Sequence, residues 1–164
     1  MSERDGADDS NLEVQMTDVM SSTRALLDGP FREERPFWDA LDHGRFELPV
    51  CVGCGAWSWP VTPRCGRCGS FETLWRETPL EGSIYSWTRV WTGFAPERAA
   101  AGPFVVVLIE LAAAGNSRVL GTLEGAETGL RIGQAVRGRI KEPSPQARGL
   151  ASVVWAIVDD GEER

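Results

Sequence analysis

The residues best equipped for chemistry are four cysteines in two pairs. Cys51-Val-Gly-Cys54 is followed, after ten residues, by Cys65-Gly-Arg-Cys68. Two thiolates separated by two residues can grip one tetrahedral ion from a tight turn that aims backbone amides at sulfur. Glycine stands inside and just after each pair (Gly53 and Gly55, Gly66 and Gly69), where such turns call for positive φ angles. Two knuckles of this kind complete a four-cysteine site with no open position. That makes the metal structural and not catalytic. Zinc is the expected ion at Cys51, Cys54, Cys65 and Cys68, with iron in a rubredoxin-like site as its competitor. Redox pairs or disulfides are the other reading. A redox Cys-x2-Cys normally accompanies a βαβ pattern, which the flanking sequence lacks.

Other reactive groups are scarce. With the thiols committed to metal, no nucleophilic cysteine remains. His43, the only histidine, falls at the end of a short helical pattern and is expected to cap carbonyls there. No Cys-His or Ser-His arrangement is supported, so no catalytic residue is assigned. Glu110 and Glu124 read as surface carboxylates. Arg137 and Arg139 alternate outward, which favours a solvated strand face over a phosphate contact.

Seven tryptophans form the other notable group. Trp57, Trp59 and Trp75 lie in the cysteine-bearing stretch and are expected to pack over it. Period two along Ser83–Thr92 puts Tyr85, Trp87, Arg89 and Trp91 on one face, and Ile84, Ser86, Thr88 and Val90 on the other. Such a stripe can pack internally, stack nucleic-acid bases, or anchor a protein partner. Trp87, Arg89 and Trp91 are the candidate interface residues.

The elements that must position these groups follow from the chain's punctuation. Residues 1–29 hold seven acids and two arginines, and form an acidic arm whose first ten residues are expected to be disordered. A short helix is expected within 30–45, with Pro36 at its start and Gly44 just past its end. Residues 46–78 make the metal ribbon, with short strands expected in the spacer 56–63 and in 71–78. So small a unit buries little core, and the ion would supply its stability. Residues 79–160 read as five strands: Ser83–Thr92, Phe104–Leu111, Ser117–Leu123, Gln134–Lys141 and Ser152–Val158. Phe104–Leu111 is almost wholly apolar, as where both faces are covered. The stretch 124–133 has room for a helical turn, and 161–164 is a tail. Count and spacing match a five-stranded Greek-key barrel of the OB type. The fold class is thus mainly β: an N-terminal helix or helices, a rubredoxin-like zinc ribbon, then an OB barrel.

Composition narrows the function classes. The net charge is −7, yet it resides in the two ends, leaving residues 30–158 at +1. A near-neutral body is a poor nucleic-acid binder. No apolar run approaches the roughly 20 residues that span a bilayer, and the acidic N-terminus lacks the apolar stretch of a signal peptide. A cytoplasmic setting with reduced thiols is expected.

Taken together, the motifs resemble one family across about residues 30–158. They are Pro36-Phe37-Trp38 with Gly44-Arg45, the four cysteines, Gly82-Ser-Ile-Tyr-Ser-Trp-Thr88, Leu120-Gly-Thr-Leu-Glu-Gly125 and Leu130-Arg-Ile-Gly133. The family is that of the DUF35-type zinc-ribbon OB-fold proteins, the acyl-CoA-associated small subunits. The long acidic arm and the alanine-rich loop Ala95–Gly102 depart from its pattern. The resemblance implies a non-catalytic accessory subunit bound to a thiolase-superfamily, lipid-transfer-protein-like catalytic subunit. Its settings include aldol cleavage of steroid side-chain CoA thioesters, Claisen-type chemistry and acyl transfer in polyketide pathways. Acyl-CoA is then a ligand of the complex, and the barrel helps form its channel. A nucleic-acid-binding OB module and a free-standing acyl-CoA carrier are the alternatives.

Overall fold

Phe37, Ala40 and Leu41 recur at the spacing of one helical face, and all three are buried in the helix α1, Arg35–Asp42. Pro36 sits in its first turn, where its missing N–H costs nothing. The helix ends at a left-handed Gly44 (φ +71°). There the Gly44 N–H donates to Leu41 O and the Arg45 N–H to Ala40 O, both at 2.9 Å, which satisfies the last carbonyls. A 3-10 turn, Arg32–Glu34, and helical residues 23–28 precede it. The computed structural model describes residues 23–93, 99–100, 102–125, 127–144 and 147–158. The expected disorder of the first ten residues, most of the acidic arm, and the 161–164 tail lie outside them. Among the described residues no helix is long and apolar enough to cross a membrane.

Two strands carry the cysteine region. β1, Glu47–Cys51, pairs antiparallel with β2, Thr73–Glu77. The spacer 56–63, expected as a strand, contributes only an isolated bridge from Trp57 to Val50. Pro60 and Pro63 remove two donors from that stretch. The ladder partner comes instead from Glu47–Cys51, N-terminal to the first cysteine pair.

The barrel follows: β3 (Glu81–Val90), β4 (Phe104–Leu111), β5 (Ser117–Glu124), β6 (Ala135–Lys141) and β7 (Ser152–Ile157). They close in the order β3-β4-β5-β7-β6, with β5 parallel to β7 and the other pairs antiparallel. This is the expected five-stranded OB barrel. No helix occupies the described residues of 124–133. β4 supplies the centre of the core, with Val105, Val107, Ile109 and Leu111 fully buried. Its alternate residues, Phe104 through Glu110, are only half-buried, so one face of β4 remains partly open.

One side chain fixes how the barrel fills. Trp155 on β7 is completely buried, and β5 and β6 each place a glycine against its ring. A Cβ on Gly121 would lie 2.5 Å from Trp155 Nε1, and one on Gly138 would lie 2.8 Å from Cζ3. Phe46, the residue before β1, meets the same indole edge-on with ring centroids 6.5 Å apart. Phe37, Leu41, Phe46 and Leu48 join the barrel residues in one continuous core.

A methyl group at position 121 must displace indole or backbone. Gly121→Ala is therefore expected to lower the unfolding free energy by about 2–3 kcal/mol. Gly66→Ala, with open space around it, should stay within about 0.5 kcal/mol. Urea unfolding of the two variants beside the parent chain checks this. Equal midpoints for Gly121→Ala and the parent would contradict the packing.

Candidate functional site

β1 runs from the core straight into the cysteine cluster: Leu48 and Val50 are buried and Cys51 is the last strand residue. The Cys51 N–H donates to Ala56 O and the Gly55 N–H to Cys51 O, both at 2.9 Å, folding the first knuckle. The second repeats the pattern. Its Cys65 N–H donates to Ser70 O (2.8 Å) and its Gly69 N–H to Cys65 O (2.9 Å). Gly55 (φ +68°) and Gly69 (φ +79°) hold the left-handed positions the sequence called for. Gly53 and Gly66 do not. Gly53 instead leaves room for the second knuckle, since a Cβ there would stand 3.2 Å from Ser70 Cβ and 3.4 Å from Cys68 Sγ.

The four sulfurs all lie within 4.8 Å of one another. Cys51 Sγ is 3.5 Å from Cys68 Sγ, and Cys54 Sγ is 3.8 Å from Cys65 Sγ. Tetrahedral zinc with bonds of about 2.3 Å requires sulfurs about 3.8 Å apart, so the cage fits the ion. The same distances are far beyond a disulfide bond of about 2.05 Å. Amide N–H groups of Cys68, then Arg67, favour the Cys65 thiolate and pull its pKa down to about 6. The Ser70 amide favours the Cys68 thiolate too, but hydrogen bonding with the Cys51 and Cys54 sulfurs outweighs it and pushes Cys68 up to about 12. Four thiols this close resist full ionisation together, and a divalent cation resolves that conflict.

The remaining sequence candidates are dispersed. His43 is exposed at the end of α1, its Nδ1 2.7 Å from Asp39 O, which is the capping role expected of it. Glu110 pairs with Arg118 (3.0 Å). Glu124 pairs with Arg139 (2.5 Å) and Lys141 (3.2 Å). Burial raises the Glu124 pKa, but these two cations prevail and hold it below the usual carboxylate value. Arg137 faces Glu81 at 3.5 Å. The β6 cations thus all have carboxylate partners, as on a solvated strand face.

The aromatic stripe is real but its phase changes. Ile84 pairs with Ile109 and Ser86 with Leu108, so Tyr85 is the extra residue of a β-bulge. Trp87 and Arg89 then oppose the inward Val107 and Val105, on the same side as Ile84, while Ser86 and Thr88 face out. The expected grouping of Tyr85 with Trp87, and of Ile84 with Ser86, is corrected accordingly. Trp91 is 72% exposed and Trp87 42%. The Arg89 guanidinium lies 5.6 Å from the Trp91 ring centre and 2.5 Å from Glu127 Oε2. Trp57, Trp59 and Trp75 are partly buried against the common core. Trp59 meets Phe37 of α1 at 4.4 Å, and Trp57 covers Gly115 in the β4–β5 turn.

Sequence reasoning missed a groove of about 670 Å³ between α1 and the barrel, lined by Trp38, Leu41, Phe104, Val106 and Leu120 among others. A second hollow of about 440 Å³ shares Trp38 and Leu120 and ends at Arg118. The signal was present in the apolar residues Val106 and Leu108, which alternate with the core residues of β4.

One zinc per chain is expected by elemental analysis of native protein, and Cys→Ser at any of the four positions should abolish stoichiometric binding. Less than about half an equivalent of metal would contradict the site. Metal uptake displaces thiol protons. Below about pH 6 the Cys65 thiolate is also lost, so the fall of zinc affinity with pH should steepen there by about one proton per ion. Competition titrations from pH 5 to 8 check the slope, and an unchanged slope across pH 6 would count against it.

The comparisons with known proteins agree with this architecture. Residues 38–73 match the family model described as the ChsH2 rubredoxin-like zinc ribbon domain, and residues 75–141 match that of the ChsH2 C-terminal OB-fold domain. No curated protein matches the sequence. Among solved structures, the chain is similar to one described as the Ltp2-ChsH2(DUF35) aldolase. That likeness has 27% identity and a TM-score of 0.66, covering 77% of this chain and 94% of that one. A DUF35-family protein of unknown function from Sulfolobus solfataricus shares the fold at 20% identity. Its TM-score is 0.54, with 88% of this chain and 98% of that one covered. With two consecutive family models covering the ribbon and four of the five barrel strands, this chain belongs to the ChsH2, or DUF35, family of zinc-ribbon OB-fold proteins.

Proposed function

We propose that the chain is a non-catalytic accessory subunit of a thiolase-like acyl-CoA enzyme in the cytoplasm. The partner would carry out aldol, retro-aldol or Claisen-type chemistry on CoA thioesters, steroid side-chain cleavage being one such case. The observation that carries this reading is the similarity, over nearly the whole of the matched chain, to the Ltp2-ChsH2(DUF35) aldolase. The inventory of groups supports it. All four thiols converge on one closed cage, and the histidine is engaged with its own helix end. Zinc in such a cage stabilises the ribbon and leaves no coordination position for substrate. The apolar groove beside α1 is suited to a channel wall, being concave and poor in charge.

The exposed Trp87 and Trp91, with the half-buried Arg89, are the proposed anchors on the partner, because tryptophan and arginine dominate interface energetics. A stable interface of this kind buries more than roughly 1,000 Å² in total. The nucleic-acid reading is disfavoured by the paired cations of β6, which leave little net positive charge for phosphate.

Co-expression with a thiolase-superfamily partner, followed by sedimentation velocity, tests the proposal. A stable heteromer is expected at micromolar concentration, and Trp91→Ala should weaken it by about 2 kcal/mol or more. Purified alone, the chain should turn over no acyl-CoA thioester. In the complex, His43→Ala should leave the rate within about threefold, since a helix-end histidine contributes roughly 1 kcal/mol of local stability and no chemistry. A chain that stays monomeric beside its partner would overturn the subunit role. A loss of about a hundredfold on His43→Ala, with the complex intact, would overturn the non-catalytic one.

A further inference from the structure

The two knuckles are alike in backbone but unequal in support. Cys51 is buried at the end of β1, and the next residue ties the first knuckle to the far side of the ribbon through Val52 N–H to Glu72 O at 3.0 Å. The second knuckle hangs on a loop. Cys68 is the one exposed ligand, and among the described residues the backbone hydrogen bonds of 65–69 close only within 65–70. Metal escape from a closed tetrahedral site begins by detaching one ligand, and the less supported pair detaches more easily.

One side chain spans this weaker turn. Arg64, just before Cys65, sends Nε to Gly69 O at 3.1 Å. Its guanidinium packs against Gly69, where a Cβ would be 2.9 Å from Nη2. Farther along, the same guanidinium stands 5.6 Å from the centre of the Phe71 ring. Thr62 Oγ1 donates to Arg64 O at 2.9 Å and fixes the start of the strap. Arg64 therefore connects the residue before the first ligand of the pair to the residue after the second. Lysine lacks the planar fork needed to make these contacts together.

We propose that the second knuckle is the kinetic gate of the metal site and that Arg64 is its latch, a positioning residue that sets how fast zinc leaves. The inference rests on the cage holding zinc and is independent of the accessory-subunit reading.

The test uses the full chain loaded with one zinc, confirmed by elemental analysis. Release is followed by transfer to excess 4-(2-pyridylazo)resorcinol. Arg64→Ala should release zinc at least about tenfold faster and Arg64→Lys at least about threefold faster. Arg76→Ala, which removes from β2 a guanidinium 5.7 Å from the Trp57 ring centre, should stay within about twofold. The cobalt(II)-substituted Arg64→Ala protein should keep the thiolate charge-transfer bands of the parent, showing the same four ligands. Release from Arg64→Ala within about twofold of the parent overturns the latch, as does equal acceleration by Arg76→Ala. If Arg64→Ala does not retain metal, Arg64→Lys decides, and a rate within about twofold of the parent overturns it.

Discussion

The packing of one indole governs how this chain holds together. Trp155 fills the barrel where Gly121 and Gly138 leave the space, and Phe46 presses its edge against the same ring from outside the barrel. Its Nε1 finds no hydrogen-bond partner among the described residues, which costs about 1–3 kcal/mol. Burial of so large a ring is worth more, since truncating a core tryptophan to alanine typically costs about 3–5 kcal/mol. Packing therefore wins over polarity at the centre. Phe46 leads directly into β1, and β1 ends at Cys51. The metal cage is thus an extension of the barrel core by five strand residues and not a bead on a linker.

That continuity bears on function. The four thiols converge on one cage, and Glu110 and Glu124 of the barrel are each held in ion pairs. What the fold presents outward is shape: Trp87 on the bulged β3, Trp91 just past its end, and an apolar groove under α1. Under the proposed accessory role, such surfaces would cover and shape a partner's site. The ion pairs on β5 and β6 fit the same picture, because they neutralise the outer face instead of charging it.

Much of this was legible in the residues. The cysteine spacing specified the cage, and Pro36 with Gly44 bracketed α1. The strand count and turn glycines specified a five-stranded barrel. The failures share one physical cause, which is that periodicity records which residues alternate but not what opposes them. Tyr85 carries no mark of a bulge in its own identity; the extra residue shows only once β3 is registered against β4. The spacer looked like a strand because it holds two tryptophans, yet its prolines cannot sustain a ladder, and the partner lay before the first cysteine. Gly53 was assigned a backbone role when its task is to let a second knuckle approach, a tertiary fact. The groove was hidden because a run of apolar residues in β4 reads as doubly buried when only one side is.

The claim that ribbon, helix and barrel form one cooperative core is tested most directly by amide hydrogen exchange of the full chain with zinc and after its removal by a chelator. The account predicts that loss of the ion lowers protection at Leu48 and Val50 of β1 and, in step with them, at Val107 and Trp155 of the barrel. Protection lost in the ribbon alone, with the barrel amides unchanged, would contradict it.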